Sequence, residues 1–282
     1  MTHGSLFSGI GGFDLAARWM GWENVFYVER DPFCREVLAH HFPESQSFDD
    51  VKAFDATPFR GRIRVLSGGF PCQPFSAAGK RAGTSDDRYL WPEMFRIIRE
   101  ARPTYVVAEN VRGLLSWNEG LVLDTVCADL EGEGYEVFPV VLPAASVNAP
   151  HRRDRIWIVA YRDNSGSRNP MPTDRDGTQE IGQGFKEFER GADGFYGDAP
   201  NACGAGARQN HGKGESRQVD QTRPPTDWQD FPTVPPVCGG DDGLPERLDG
   251  ITFPKWRRES IKAYGNAIVP QVAYQIFQAL DT

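Results

Sequence analysis

Cysteine is scarce in this chain, and what there is follows no structural pattern. Five cysteines, at positions 34, 72, 127, 203 and 238, are odd in number and never spaced as CxxC. That argues against a disulfide framework and a cysteine-rich zinc site, leaves no metal site to propose, and points to a reducing compartment. No apolar run approaches membrane-spanning length, so no membrane partner is expected. Met1-Thr2-His3-Gly4 leads at once into an expected strand, which leaves no room for a signal peptide. The cytoplasm, with association to the nucleoid, is the expected location. Basic residues are in deficit: 31 Lys and Arg against 39 Asp and Glu give a net charge of −8. A nucleic-acid partner would therefore need a local basic surface, for which Arg152, Arg153 and Arg155, and Lys255, Arg257, Arg258 and Lys262, are candidates. No fixed internal period is visible, so a repeat array is not expected.

What is present is an alternation. Residues 4 to 160 switch between short apolar runs and amphipathic segments, the pattern of a wound parallel sheet. Strands are expected at Ser5–Phe7, Val25–Val28, Ile63–Leu66, Tyr105–Ala108, Val137–Leu142 and Ile156–Ala160. Helices are expected at Phe13–Met20, Pro32–His41, Trp91–Ala101 and Leu121–Leu130. In the third helix Met94, Ile97, Ile98 and Ala101 share one face, which reads as core packing. Composition changes after Arg162. Residues 163–243 are rich in Gly, Pro, Asn, Asp and Gln, and read as a small loop-rich lobe or a partly disordered one. A last helix, Ala263–Leu280, is expected within a returning segment, 244–282, with Val272, Ile276 and Leu280 on one face.

Two loops carry chemistry. Leu6-Phe7-Ser8-Gly9-Ile10-Gly11-Gly12-Phe13-Asp14 joins the first strand to the first helix, where glycines permit a sharp turn and close ligand approach. The dinucleotide fingerprint GxGxxG fails, because Asp14 takes its third position. Glu29 ends the second strand, twenty residues past Gly9, and can accept hydrogen bonds from both hydroxyls of a ribose. Asp50 falls where a further strand could end, within reach of an adenine amino group. Together these favour an adenosine-containing cofactor over a plain turn with surface acids.

The second loop is Gly68-Gly69-Phe70-Pro71-Cys72-Gln73-Pro74-Phe75-Ser76. Pro71 and Pro74 flank the thiol so closely that neither helix nor sheet ladder can pass through it. Cys72 is thus held at the C-terminal edge of a strand, where open α/β sheets place ligands. Taken alone, it is as well read as a buried structural cysteine as a nucleophile.

Phe7–Gly12, Pro71-Cys72-Gln73, Glu109-Asn110-Val111, His151-Arg152-Arg153-Asp154-Arg155 and Gly265-Asn266-Ala267-Ile268-Val269-Pro270 together resemble the DNA (cytosine-5) methyltransferases. They stand in that family's order and span nearly the whole chain. The resemblance implies an α/β, Rossmann-like S-adenosylmethionine-dependent methyltransferase sheet over residues 1–162, with 163–243 a small irregular target-recognition domain. It implies methyl transfer from S-adenosylmethionine to C5 of a cytosine flipped out of double-stranded DNA. It also implies a monomer in restriction-modification or phage DNA protection, with a cognate restriction endonuclease as a candidate partner.

By position, Cys72 resembles the nucleophile that adds to C6 of the ring, and a thiol suits that role because part of it is thiolate at neutral pH. Glu109 would donate a proton to N3, which requires a raised pKa in a dry pocket. Arg155 would contact O2 and position Glu109, and Arg153, two residues away at a strand start, would share its face. Asn110 would hold the loop around Glu109, and the Pro71 carbonyl would meet the exocyclic amine. Phe7, Gly9, Gly11 and Gly12 would line the methionine and ribose, and Glu29 would take the ribose hydroxyls. Arg30 would cover the adenine, Asp50 with Val51 would read its edge, and Leu90, Asn266 and Ala267 would close the pocket. Ser76 and Gln73 would face the flipped nucleotide, and Ser76–Asp87 would close over DNA.

Two departures stand out: His151 replaces a usual glutamine, and the penultimate motif is degenerate but keeps Arg247, which would brace the recognition lobe. Trp228 and Arg208–Arg217 are candidates for DNA contact. A tRNA cytosine-5 methyltransferase would carry Cys-Phe-Thr in the polar region, which is lacking. A silent DNA-binding paralogue is opposed by Cys72, Glu109, Arg153 and Arg155 occurring together. A nicotinamide oxidoreductase is opposed by the failed glycine fingerprint.

Overall fold

The computed structural model describes residues 1–71, 89–162 and 254–281, which fall in one unit of the chain. Strand β1 (Thr2–Leu6) feeds helix α1 (Gly12–Trp19), and β2 (Glu23–Val28) feeds α2 (Pro32–His41). Asp31 caps α2 by accepting the Phe33 N–H at 3.0 Å, and Pro32 opens its first turn, where a missing N–H costs nothing. There follow β3 (Gln46–Phe48), β4 (Val65–Gly68), α3 (Trp91–Ala101), β5 (Tyr105–Val111), α4 (Leu121–Gly132), β6 (Glu136–Pro143) and β7 (Asp154–Tyr161). The chain returns as α5 (Pro254–Asn266) and α6 (Pro270–Leu280).

The seven strands lie in the order β3-β2-β1-β4-β5-β7-β6. The expected all-parallel sheet needs one correction: β7 runs antiparallel to both neighbours. No α-helix joins β6 to β7, only a short connection through residues 144–153 with one 3-10 turn at Ala144–Val147, and strands joined that way pair as a hairpin. The reversal matters for the site. It brings the start of β7, not its end, to the edge where β1, β2, β4 and β5 finish.

Both sheet faces are covered. α3 and α4 bury Trp91, Met94, Ile97, Ile98, Val126 and Leu130 against Leu6, Phe26, Leu66, Val106 and Ile158. On the other face α1 and α6 pack Phe13, Ala16, Val272, Ile276 and Phe277 onto Val65, Val107 and Trp157. Each large apolar side chain so buried contributes roughly 1.5–3 kcal/mol. The expected single C-terminal helix is in fact two. Pro270 cannot donate into a preceding turn and drives Val269 out of helical geometry (φ −86°, ψ 107°), so the chain breaks at 267–269.

A polar cluster lies inside this core. His3, Ser5, Asp14 and Ser67 are each 0% exposed. His3 bonds Asn24 Oδ1 at 2.7 Å and Ser67 Oγ at 2.8 Å, and the Ser5 hydroxyl donates to Asp14 at 2.8 Å. Burial pushes the Asp14 carboxyl up to about 7 and the His3 imidazole down to about 4, so between those values both are uncharged. Their 4.0 Å approach is therefore a neutral contact at mildly acidic pH. Ser5 also bonds Ser8 at 2.6 Å, which ties the cluster to the glycine loop above it.

Candidate active site

The glycine loop turns through three left-handed residues, Phe7 (φ 52°), Gly9 (φ 54°) and Gly11 (φ 86°). Phe7 adopts that conformation despite its Cβ, a strain of the kind that persists where surrounding structure enforces it. The glycines do different work. A Cβ on Gly11 would lie 2.8 Å from Phe42 and 2.9 Å from Leu38, and one on Gly12 would lie 2.5 Å from Ile268. Gly9 alone of the three would meet nothing within 4 Å. Gly11 and Gly12 are thus required by packing, and Gly9 leaves space for a ligand.

Glu29 stands at the adjoining strand end, as expected. Its Oε2 accepts the Gly9 N–H at 2.7 Å and its Oε1 the Asp31 N–H at 2.8 Å. Burial raises its pKa, and these N–H donors oppose the rise. A carboxylate fixed in this way keeps lone pairs for further donors, so it fits a ribose diol. Arg30 is exposed beside it, and Asp50 is exposed on the loop after β3. Val51 is buried in the core with its carbonyl accepting from Arg96, so only its backbone could face a ligand. Glu29, Gly9 and Asp50 fit an adenosine-containing group.

At the same sheet edge Glu109 and Arg155 form an ion pair, Nε to Oε1 at 2.9 Å, with the carboxylate side chain only 12% exposed. The register explains it: Val111 faces Arg155 and Glu109 faces Trp157, so Glu109 and Arg155 are diagonal neighbours on one face. Burial pushes the Glu109 carboxyl up to about 7, against the pull of Arg155 and Arg153. Because Arg155 donates to Oε1, a proton on Glu109 sits at Oε2. A Cβ on Gly69 would come within 3.3 Å of that atom, so the glycine keeps it clear.

Asn110 points to the opposite face. Its amide donates to the Phe70 carbonyl at 2.8 Å and its Oδ1 accepts the Val111 N–H at 2.9 Å. It therefore holds the root of the Pro71 loop as well as the turn after Glu109. The Pro71 carbonyl accepts the Leu90 N–H at 3.2 Å and retains a second lone pair. Leu90, half-buried, precedes α3.

Arg153 differs from expectation. It precedes β7 with φ 40°, so strand alternation does not set its direction. It lines a small cavity with Glu109 and Arg155, yet its Nη2 donates to the Gly265 carbonyl at 3.1 Å and the Ala267 carbonyl at 2.6 Å. Asn266 is exposed and Ala267 half-buried in that connection. Cys72, Gln73, Ser76, the Ser76–Asp87 loop, Trp228, Arg208–Arg217, Arg247 and the 163–243 lobe lie outside the described residues.

Sequence reasoning missed two supports. Arg96 donates to the carbonyls of Val51 (2.8 Å) and Phe54 (3.0 Å) and pairs with Glu93 and Glu100, fixing the Asp50 loop. Its signal was an arginine flanked by acids at i−3 and i+4 on one helix face. Lys262 reaches from α5 to Asp31 at 3.0 Å, a contact that no local pattern announces. A roomier cleft of about 530 Å³, lined by Arg60, Arg96, Arg99, Glu100, Arg102 and Glu133, lies by the opposite sheet edge. Its guanidinium groups are already engaged: Arg60 with the Glu100 and Arg99 carbonyls at the end of α3, Arg99 and Arg102 with Glu133. It reads as helix capping.

The chain is similar to several bacterial enzymes. It is 34% identical over 232 residues to the type II methyltransferase M.Eco47II of Escherichia coli, covering 80% of this chain and 54% of that protein. It is 34% identical over 166 residues to the type II methyltransferase M.HhaI of Haemophilus parahaemolyticus, covering 58% of this chain and 50% of that one. For the type II methyltransferase M.AquIA of Picosynechococcus the figures are 34% over 188 residues, 60% and 75%. The chain thus spans about half the length of the first two relatives. The family model for C-5 cytosine-specific DNA methylases matches residues 1–202. With the glycine loop, Glu29 and the Glu109–Arg155 pair on one sheet edge, this chain belongs to the C-5 cytosine-specific DNA methylase family.

Proposed function

We propose that this chain is a DNA (cytosine-5) methyltransferase that uses S-adenosylmethionine and acts on a cytosine flipped out of double-stranded DNA. The observation that carries the reading is the half-buried Glu109–Arg155 pair beside the root of the Pro71-Cys72 loop. S-adenosylmethionine, when bound, supplies a methyl carbon activated by its sulfonium. Phe7, Gly9, Glu29, Arg30, Asp50 and the backbone of Val51 would hold it, with Leu90 and Ala267 at the margins.

The substrate ring needs activation, because C5 of cytosine is a weak carbon nucleophile. The Cys72 thiolate adds to C6, forming the C6–S bond and moving the C5–C6 π pair into the ring. Glu109 gives its Oε2 proton to N3 as that charge arrives, and Arg155 donates to O2. C5 is then an enamine carbon and would accept the methyl group, the electron pair of the broken S–CH3 bond staying on the cofactor's sulfur. Loss of the C5 proton to a base re-forms the C5–C6 double bond and expels the Cys72 thiolate, and the Glu109 carboxylate takes back the N3 proton, which leaves neutral 5-methylcytosine and restores the acid. Glu109 is suited to this role because burial keeps it partly protonated near neutral pH.

The setting we propose is restriction-modification or phage DNA protection, with the chain acting as a monomer. Residues 163–243 would form the target-recognition region, and a cognate endonuclease would be the partner. Among the described residues no helix is long and apolar enough to cross a membrane. Expression in a bacterial strain free of 5-methylcytosine, followed by bisulfite sequencing of host DNA, tests this reading. One recurrent sequence carrying 5-methylcytosine is expected. Host DNA that stays unmethylated would overturn the proposal.

A further inference from the structure

Arg153 is not explained by the Glu109 pair. Its backbone is left-handed, a conformation that favours glycine, and its Nε is buried without a hydrogen-bond partner. What it does engage is the end of α5: one guanidinium nitrogen serves the carbonyls of both Gly265 and Ala267. Carbonyls at a helix C-terminus have no partner within the helix and carry partial negative charge, so a cation is well placed there. Immediately beyond, the chain breaks ahead of Pro270, and Ile268 sits in the break. Ile268 Cγ1 occupies the position 2.5 Å from where a Gly12 side chain would begin. Gly12 opens α1 and closes the glycine loop.

We propose that Arg153 is a positioning residue that clamps the α5–α6 connection, so that Ile268 seats in the notch at Gly12 and fixes the glycine loop for its cofactor. The route runs from the catalytic edge to the cofactor edge through one guanidinium, two carbonyls and one side chain. It assigns Arg153 and Arg155, two residues apart, to different sites: Arg155 to the reacting base, Arg153 to the cofactor loop. The cofactor part rests on the function proposed above.

The test uses the whole chain as wild type, Arg153→Met, Arg153→Lys, Ile268→Ala and the Arg153→Met/Ile268→Ala double variant. Calorimetric titration with S-adenosylhomocysteine is expected to show binding weakened roughly tenfold to fiftyfold in Arg153→Met and in Ile268→Ala, the loss of charge-assisted hydrogen bonds or of one seated side chain. Arg153→Lys, which keeps the charge, is expected to recover part of it. Turnover at saturating cofactor should fall less than affinity does. The double variant should be no weaker than the worse single one within about twofold, since both cut one route. Amide exchange without cofactor should speed up at Gly12–Leu15 in both single variants.

Unchanged binding in Arg153→Met would sink the clamp, and so would losses that multiply in the double variant. Collapse of turnover with intact binding would return Arg153 to the catalytic group. If wild type itself does not bind S-adenosylhomocysteine, the cofactor reading fails, and amide exchange at Gly12–Leu15 alone decides for or against the clamp.

Discussion

Cys72→Ser is expected to lower methyl transfer by roughly a thousandfold or more while cofactor affinity stays within about twofold. The two atoms differ in ionisation far more than in size. A cysteine thiol has an ordinary pKa of about 8.5, so a few per cent is thiolate at neutral pH, whereas a serine hydroxyl is not measurably ionised there. Addition to C6 needs the anion, and no serine can supply it without a neighbouring base. The chain leading into the cysteine should be unaffected, because the Phe70 carbonyl is held by Asn110 and the Pro71 carbonyl by the Leu90 N–H. The Glu29 and Gly9 contacts lie on other strand ends and should be unaffected. Transfer from labelled cofactor to DNA, beside calorimetric titration of the same protein, checks both halves. A serine variant as active as wild type would remove Cys72 from the mechanism.

Glu109→Gln should cost roughly a hundred- to ten-thousandfold in kcat/KM, the usual range for a general acid. Glutamine keeps the shape and can still accept from Arg155, but it has no acidic proton to give to N3. The pH profile separates this loss from a packing defect. Activity needs the thiolate, whose fraction grows with pH, and protonated Glu109, whose fraction shrinks with it. Burial raises the Glu109 pKa to about 7, so its deprotonation runs through the neutral range and opposes the gain in thiolate. The wild type should show a bell, with its maximum between neutral pH and about 8.5. In Glu109→Gln the alkaline fall should vanish, leaving activity that rises and then levels. A variant that keeps the falling limb would mean that another group, not Glu109, supplies the proton.

Much of the glycine-loop end of the sheet was legible because its signals are local. Glycines after a strand, Glu29 at the next strand end and a proline opening α2 each need only a few neighbouring residues to be understood. The boundaries Pro32–His41 and Trp91–Ala101 match the structure for the same reason. What local pattern does not carry is direction. The run Ile156–Ala160 looks the same in a parallel or an antiparallel strand, so the reversal of β7 was missed. A parallel β7 would have left Arg155 at the wrong edge, away from Glu109. The clue lay in the residues between β6 and β7, too few to hold a crossover helix. Pro270 was likewise a visible break inside an otherwise helical pattern, passed over because Val272, Ile276 and Leu280 kept their spacing. The carbonyls held by Arg153 and Arg96, and the Asp31 carboxylate reached by Lys262, are distant in sequence, and no spacing rule reaches them.

The central claim is that Cys72 attacks C6 of a cytosine in DNA, and a substrate that cannot complete the reaction tests it most directly. Duplex DNA carrying 5-fluorocytosine blocks the last step, since fluorine at C5 cannot leave as the proton does. With cofactor present, the wild-type chain is expected to form a complex with this DNA that survives denaturing electrophoresis, and Cys72→Ser to form none. A wild-type chain that methylates ordinary cytosine in the same duplex, yet leaves no such complex on the fluorinated one, would contradict the account.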